Sequence, residues 1–301
     1  MAYVLATDSG CDISPEILES WGIISADLTF RFDGETEEYT NREMPVSAFY
    51  DKMKAGGVSR TSAVNQEAFS QLFRSYLEQG IDVLYIGFDS GISSTSQHGI
   101  AAANELAEEF PERKMIAIDT LCASGGQGLV VELALNKKNA GADIDEVAAF
   151  VREISPSVSH WFTVDDLMYL KRGGRVSAAA AIAGNLLNIR PVLHVDDEGK
   201  LINMYKVRGR KASIAALADE YVKRALPAFT GDMAVANGSS DINGSPYFIN
   251  QGACMEDAKL LEKMIVEKTG RKAEYIMDIG PVIGSHTGPG ILALFFAGTS
   301  R

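Results

Sequence analysis

Two rhythms of apolar residues alternate along the first half of the chain. Tyr3 to Asp8, Ile81 to Phe88 and Lys114 to Asp119 are short, nearly continuous apolar runs of the kind that make strands buried on both faces. Between them the apolar positions recur at helical spacing. Positions 68, 69, 72, 73, 76 and 77 share one face of a helix that starts at the N-cap Asn65 and ends at Gly80. Further helices are predicted from Ser14-Pro15, over Val46 to Met53 before Gly56-Gly57, over about Gln97 to Glu109, from a turn at Gly125 to Gly128 through to about Lys138, and over Asp143 to Ile154. Ile23 to Phe32 has strand character and Asp33 to Glu38 reads as an acidic turn. Strand, helix, strand, helix at these lengths predicts βαβ units and a parallel sheet.

The pattern changes after Ser155-Pro156. Val158 to Val164 reads as a strand, Asp165 to Leu170 as a short helix, and Ser177 to Leu187 as a small, Ala-rich helical stretch suited to close packing or to the wall of an apolar tunnel. Arg190 to Val195 and Lys200 to Val207 flank Asp196-Asp197-Glu198-Gly199, a hairpin signature. A helix over Ile214 to Leu226, a strand over Met233 to Asn237, a helix over Ala253 to Thr269 and strands over Ala273 to Met277 and Ile291 to Ala297 complete the pattern. The expectation is an α/β protein of two domains: 1–155 a parallel α/β/α sandwich, and 156–301 an α+β domain with a largely antiparallel sheet.

Composition narrows the function. The 301 residues are 46% hydrophobic and 23% charged, as in an ordinary globular protein, and no run approaches the roughly 20 apolar residues of a membrane helix. The N-terminus begins on a strand pattern instead of a basic and then apolar leader, so a cytoplasmic location is expected. Cys11, Cys122 and Cys254 have no metal-binding spacing and read as reduced thiols. A net charge of -12 without a Lys/Arg run argues against nucleic acid or an anionic membrane as main partner. Without a helix-turn-helix signal, a DNA-binding regulator is disfavoured. The cluster Lys206, Arg208, Arg210 and Lys211 is either a solvated face or a surface for an acidic or phosphate-bearing partner.

Gly280 to Leu292 (Gly-Pro-Val-Ile-Gly-Ser-His-Thr-Gly-Pro-Gly-Ile-Leu) has too many glycines and prolines for a regular element and is expected to be a shaped loop carrying His286. In open parallel sheets ligands bind beyond the C-terminal ends of the strands. Ser9, Ser93, Ser94, Thr95 and Thr120 follow strands there, and Thr61-Ser62 precedes a helix. These hydroxyls either cap helices or converge on one anionic group. Gly125-Gly126-Gln127-Gly128 lacks dinucleotide spacing and no phosphate loop with Lys exists, so a carboxylate fits better than a nucleotide.

On these residues the chain resembles the DegV family, the fatty-acid-binding, substrate-presenting subunits of bacterial fatty acid kinase. The matching pieces are Asp8-Ser9 with Asp12, Thr61-Ser62 with Phe69, the serine tract around Ser93, Asp119 with Gly126-Gln127-Gly128, Leu170 to Arg175, and Gly280 to Gly290. The last two together are the specific ones. The resemblance implies a DegV-like fold with a long-chain fatty acid in a tunnel of the C-terminal domain and its carboxylate at the domain interface. It implies head-group contacts from Thr61 and Ser93, with Ser62, Ser94 and His286 beside them, and Arg175 and Arg208 facing the kinase catalytic subunit or its phosphoryl donor. It further implies no catalysis by this chain, no cofactor beyond the bound fatty acid, no nucleic acid and only transient membrane contact. Two departures from the family pattern touch the head group: Thr61-Ser62-Ala63-Val64-Asn65 lacks a Pro, and Ile92-Ser93-Ser94-Thr95 lacks a Gly, which changes loop stiffness. The competing expectation is a subunit resembling the dihydroxyacetone-binding component of sugar kinases, in which His286 would bind a small carbonyl or polyol.

Overall fold

A computed structural model describes residues 2–176, 188–226, 245–299 and 301. The helical stretch expected over 177–187 and the strand expected over 233–237 lie outside the described residues. In chain order the elements are β1 (Tyr3–Asp8), α1 (Pro15–Ser20), β2 (Ile24–Ala26), β3 (Thr29–Phe32), β4 (Tyr39–Thr40), α2 (Val46–Lys54), β5 (Ser59–Ser62), α3 (Gln66–Leu77), β6 (Asp82–Phe88), α4 (Thr95–Glu109), β7 (Met115–Cys122), α5 (Gly125–Asn139) and α6 (Ile144–Ile154). There follow β8 (Val158–Thr163), α7 (Met168–Arg172), β9 (Ile189–Val195), β10 (Leu201–Arg208), α8 (Arg210–Arg224), β11 (Tyr247–Gln251), α9 (Met255–Thr269), β12 (Tyr275–Asp278), α10 (Pro281–Thr287) and β13 (Leu292–Ala297).

The first half contains a parallel sheet of order β2-β1-β6-β7. Phe69, Phe73 and Leu77 of α3 and Ala102 and Leu106 of α4 pack on Val4, Ala6, Val83 and Tyr85 from one side. From the other side α5 and α6 press Leu133, Val147 and Val151 onto Leu5, Leu84 and Ile86. The second sheet has the order β10-β9-β8-β13-β11-β12 and is antiparallel except for the parallel pair β11–β12. Its outer face is covered by α8 and α9 through Ile214, Leu217, Leu261 and Ile265. Its inner face, with Phe162, Ala293 and Phe295, shares a core with α5. Helix α5 is thus enclosed by both sheets, which is why Gly125 through Leu135 is buried all round and shows no polar stripe.

Several expectations are corrected. Ile23 to Phe32 is two strands, because the chain leaves β1 after Ala26 and joins a separate antiparallel sheet of order β4-β3-β5. Gly125 to Gly128 is the first turn of α5 and not a loop: a side chain at Gly126 would strike the His160 ring, and one at Gly125 would strike Asn250. The short helix expected over 165–170 sits later, at Met168–Arg172. Strand β11, five residues between Pro246 and Gly252, carried no sequence signal strong enough to be read. The cysteines are free thiols, with Cys11 and Cys122 buried and Cys254 half-buried.

Helix α4 lies close to the sheet at Gly99, where a Cβ would come 2.5 Å from Cε1 of Tyr85. Tyr85 cannot retreat: it is fully buried and its hydroxyl donates to Asp8 Oδ2 at 2.6 Å. Gly99→Ala gains about 1 kcal/mol of helix propensity, yet overpacking against a pinned ring costs about 1–3 kcal/mol. The variant is therefore expected to be less stable than wild type by up to about 2 kcal/mol, seen as a lower urea midpoint at unchanged slope; a raised midpoint would show that the α4–β6 contact yields.

Candidate functional site

The His286 segment is helical, contrary to the loop expected from its glycines. Pro281 occupies the first helical position, where a missing N–H costs nothing. Gly284 serves packing, since a Cβ there would lie 2.7 Å from the Tyr50 hydroxyl. The free amides at the helix start find side-chain acceptors: Gly280 N–H donates to Asp12 Oδ1 at 3.0 Å and Val282 N–H to Asn41 Oδ1 at 3.2 Å. Tyr50 donates to the Ile279 carbonyl at 3.0 Å. Ser285 Oγ lies 2.7 Å from the Pro281 carbonyl and 2.7 Å from Ser59 Oγ, able to donate to the first and accept from the second.

Asp12 is the centre of this arrangement. Its other oxygen accepts from Ser124 Oγ at 2.6 Å, which ties the start of α5 to the start of α10. Asp12 and Ser124 both hold positive φ, 52° and 53°, a strained conformation for residues with a Cβ. Burial raises the Asp12 carboxyl to about 7, against the opposing pull of its hydrogen bonds. Asp8, at the end of β1, is a second buried hub: it accepts from Gly10 N–H, Tyr85 Oη, Phe88 N–H and Gln127, and burial raises it to about 6.

Helix α10, β5, the start of α4 and the inner face of the second sheet enclose a cavity of about 280 Å³. Part of the lining is polar, with Thr61, Ser62, Ser93, Ser94, Arg175 and His286. The remaining lining is mostly apolar, with Leu28, Phe88, Phe162, Leu170, Val195, Leu201, Ile283, Ile291 and Phe295 among others, and also holds Ser124, His160 and Thr287. All five expected ligand-binding residues therefore come together. Thr61 Oγ1 lies 2.8 Å from His286 Nε2. Ser93 Oγ accepts from Thr95 N–H at 3.2 Å and so also caps α4, while Ser94 is exposed and forms no cap bond. Ser62 is exposed and donates to Glu38 at 3.0 Å. Ser9 and Thr120 are elsewhere: Ser9 Oγ accepts from Leu28 N–H at 2.9 Å, and Thr120 donates to the Gly87 carbonyl at 2.8 Å.

The two arginines separate. Arg175 turns inward and is half-buried on the cavity wall, because its guanidinium finds backbone acceptors there. Nε and Nη2 donate to the Ile92 carbonyl at 3.1 and 2.9 Å, and Nη1 donates to the Gly173 carbonyl. Arg208 is exposed at the end of β10, beside the exposed Lys206 and Lys211, whereas Arg210 is tied to Asp257 and Asp165. Sequence reasoning missed Ser124 and His160 in the lining. The clue to His160 was the alternation Val158, His160, Phe162, which puts it on the inner face of β8. It is a buried neutral ring: Nε2 accepts from Ala123 N–H at 3.1 Å, and Nδ1 then donates to the Val158 carbonyl at 2.9 Å. Burial, with Arg301 and His194 nearby, holds its pKa well below the usual range.

His286 is neutral as well. Burial lowers it to about 4, with Arg175 adding to the shift. Its ring packs so closely on Gly173 that a side chain there would strike Nδ1. The polar part of the lining therefore offers hydroxyls, a neutral imidazole and one guanidinium already engaged with carbonyls. That set suits a single carboxylate held by hydrogen bonds. Among the described residues no group of His, Cys, Asp and Glu could hold a metal ion, and no helix is long and apolar enough to cross a membrane.

Comparison with known proteins gives consistent matches over the whole chain. The profile of the DegV family, described as uncharacterised proteins, matches residues 3–299. A DegV domain-containing protein of Clostridium perfringens is 39% identical over 300 residues, covering 99% of this chain and 98% of that one. A fatty-acid-binding DegV family protein of Thermus thermophilus superposes with a TM-score of 0.82 at 26% identity, over 99% of this chain and 100% of that one. Another from Streptococcus agalactiae gives 0.79 at 27% identity, covering 100% of both chains.

A pH titration tests the electrostatic description of His286. The four histidines of the chain are resolved by carbon-proton NMR, and the His286 ring is expected to titrate near pH 4, as burial dictates. Because the folded value is depressed, the unfolded chain takes up the proton first. The stability tied to this ring is complete above about pH 6.5 and falls by up to about 3 kcal/mol as pH drops to about 4. A midpoint near 6.5 would mean a solvated ring.

Proposed function

The chain belongs to the DegV family, and from that premise we propose that it holds a long-chain fatty acid in the 280 Å³ cavity and presents the carboxylate to a separate kinase. The observation that carries this reading is the make-up of the cavity: mostly apolar walls, with the Thr61–His286 pair, Ser93 and Ser94 gathered in its lining. With the proton on Nε2, His286 donates to Thr61 Oγ1 and leaves the Thr61 hydroxyl proton for the carboxylate. Ser93 offers a further donor, with Ser62 and Ser94 beside it in the lining. Burying about 15 methylenes contributes about 12 kcal/mol at ~0.8 kcal/mol each, enough to exceed an association cost of some 4–15 kcal/mol in all but its upper range.

On this reading the chain is not itself an enzyme. The kinase transfers a phosphoryl group to the carboxylate, giving an acyl phosphate, and exposed Arg208 faces that partner. Arg175 supports the head-group turn from behind. The domain boundary falls at 155/156, the protein works in the cytoplasm and membrane contact is transient. The alternative, a small carbonyl or polyol on His286, would leave the apolar walls of Phe162, Leu170, Ile283 and Phe295 without a ligand group to cover.

Mass spectrometry of an organic extract of the freshly purified protein is expected to find stoichiometric fatty acid. Its absence, together with failure to take up added fatty acids of several lengths, would refute the reading. Thr61→Val and Ser93→Ala are each expected to weaken fatty-acid binding by about 1.5–3 kcal/mol, roughly 10- to 100-fold in Kd. Arg208→Ala is expected to leave that Kd unchanged and slow acyl-phosphate formation. Unchanged affinity in both hydroxyl variants would remove them from the head group.

A further inference from the structure

The walls of the cavity are held unequally. Strand β13 meets β8 over the six pairs Leu292↔Thr163 to Ala297↔Val158 and lies inside the sheet, with β11 on its other side. Strand β9 meets β8 through Trp161↔His194 and Phe162↔Leu193 alone. Its hairpin partner β10 is the sheet edge, is exposed at Met204, Tyr205 and Lys206, and slips register between Asn203 and Tyr205. Such a bulge at an edge loosens pairing and permits local bending. Beyond the last β8 pair, the hairpin end brings Val195 and Leu201 onto the cavity.

The turn of this hairpin rests on the head-group loop. A Cβ at Gly91 would lie 2.6 Å from the Glu198 carbonyl oxygen and 2.8 Å from the Gly199 carbonyl carbon, so the two backbones touch. The Asp89 carboxylate fits against Gly199 on the same side, where a Cβ would collide with it. Among the described residues no hydrogen bond joins the turn to the loop. The turn closes on itself instead, Asp196 N–H to Lys200 O and Gly199 N–H to Asp196 O at 3.0 Å each. Charge adds little to the contact: Asp196 and Asp119 lie near Asp89, whose carboxyl burial raises to about 7, Lys200 is paired with Glu198, and Arg301 is the cation beside Asp89. Backbone packing, with no hydrogen bond across it, keeps the turn on the loop.

We propose that the hairpin end, residues 195–201, is a flap that lifts off Gly91 to admit and release the ligand of the cavity. The proposal rests on the fatty-acid reading. A wall joined to the rest of its sheet by two residue pairs and the His194 Nδ1–His160 carbonyl bond, and to its seat by a contact without a hydrogen bond, opens at lower cost than a strand paired on both sides inside the sheet.

Gly91→Ala tests it. Gly91 is not among the glycines at positive φ, so alanine is tolerated by the backbone there, and the atoms it meets are backbone atoms of the turn. Weakening a contact present in both the empty and loaded protein lowers the barrier to opening in both directions. Stopped-flow fluorescence with cis-parinaric acid is expected to show entry and release both faster by roughly ten-fold, with Kd changed by less than about two-fold. Unchanged rates, or faster release alone with a weaker Kd, would overturn the flap and indicate damage to the head-group loop. In the wild-type protein, hydrogen exchange is expected to be faster over 196–202 than over β13 and to slow when fatty acid is added; equal exchange in the two segments also overturns it. Failure of wild-type protein to bind any fatty acid would instead remove the reading on which the flap rests.

Discussion

Asp12 commits both carboxylate oxygens to groups far from it in sequence, Ser124 at the head of α5 and the Gly280 amide at the head of α10. The loop after β1 is thereby joined to the helix that both sheets share and to the helix that carries His286. The arrangement holds two residues at positive φ and buries a carboxyl raised to about 7. Each is unfavourable alone, and they persist because the surrounding structure over-determines them. With Asp12 fixed, the N-terminus of α10 is fixed, and His286 reaches Thr61 from a helix too short to be stable by itself.

The same economy of position explains the glycines that crowd the site. At Gly126, Gly173 and Gly284 a Cβ would strike His160, His286 and Tyr50 respectively. The two rings are both neutral because both are buried, and both are held by partners that need no charge. Glycine is thus how the fold brings helix backbone up against imidazole and phenol while excluding the water that would protonate the rings.

Much of the fold was legible because the parallel sheet and its helices follow burial periodicity. Ser14 and Asn65 act as N-caps where Ser/Asn chemistry put them. The hairpin at 196–199 is where its turn residues placed it. Two of the misreadings share a cause. At Gly125–Gly128 and Gly280–Gly288 local propensity said turn and loop, and tertiary contact with rings and caps made helix. Thr61, Ser93 and His286 were brought together by the family resemblance; position after a parallel strand marked Ser93 alone, since Thr61 lies on β5 of the small antiparallel sheet and His286 on α10. His160 was not found, because a single inward residue on a strand looks like any other core position, and Ser124 was not, because a Ser ahead of a helix looks like any other cap. The inward turn of Arg175 depends on the Ile92 carbonyl, and no sequence pattern reports where a carbonyl points.

The engagement of Arg175 with carbonyls bears on what the polar lining can do to a carboxylate. A guanidinium free to form a bidentate pair would bind the anion more strongly and would also draw off its charge. Here that guanidinium is divided between Ile92 and Gly173, and the nearest ring is uncharged. Hydroxyls and a neutral imidazole orient an anion while leaving more of its charge on oxygen than an ion pair would. On the proposed reading the carboxylate must act as the nucleophile toward a phosphoryl group brought by another protein. A site that supplies affinity through the alkyl chain and direction through neutral donors keeps those two tasks apart, so the head group is held in place without being neutralised.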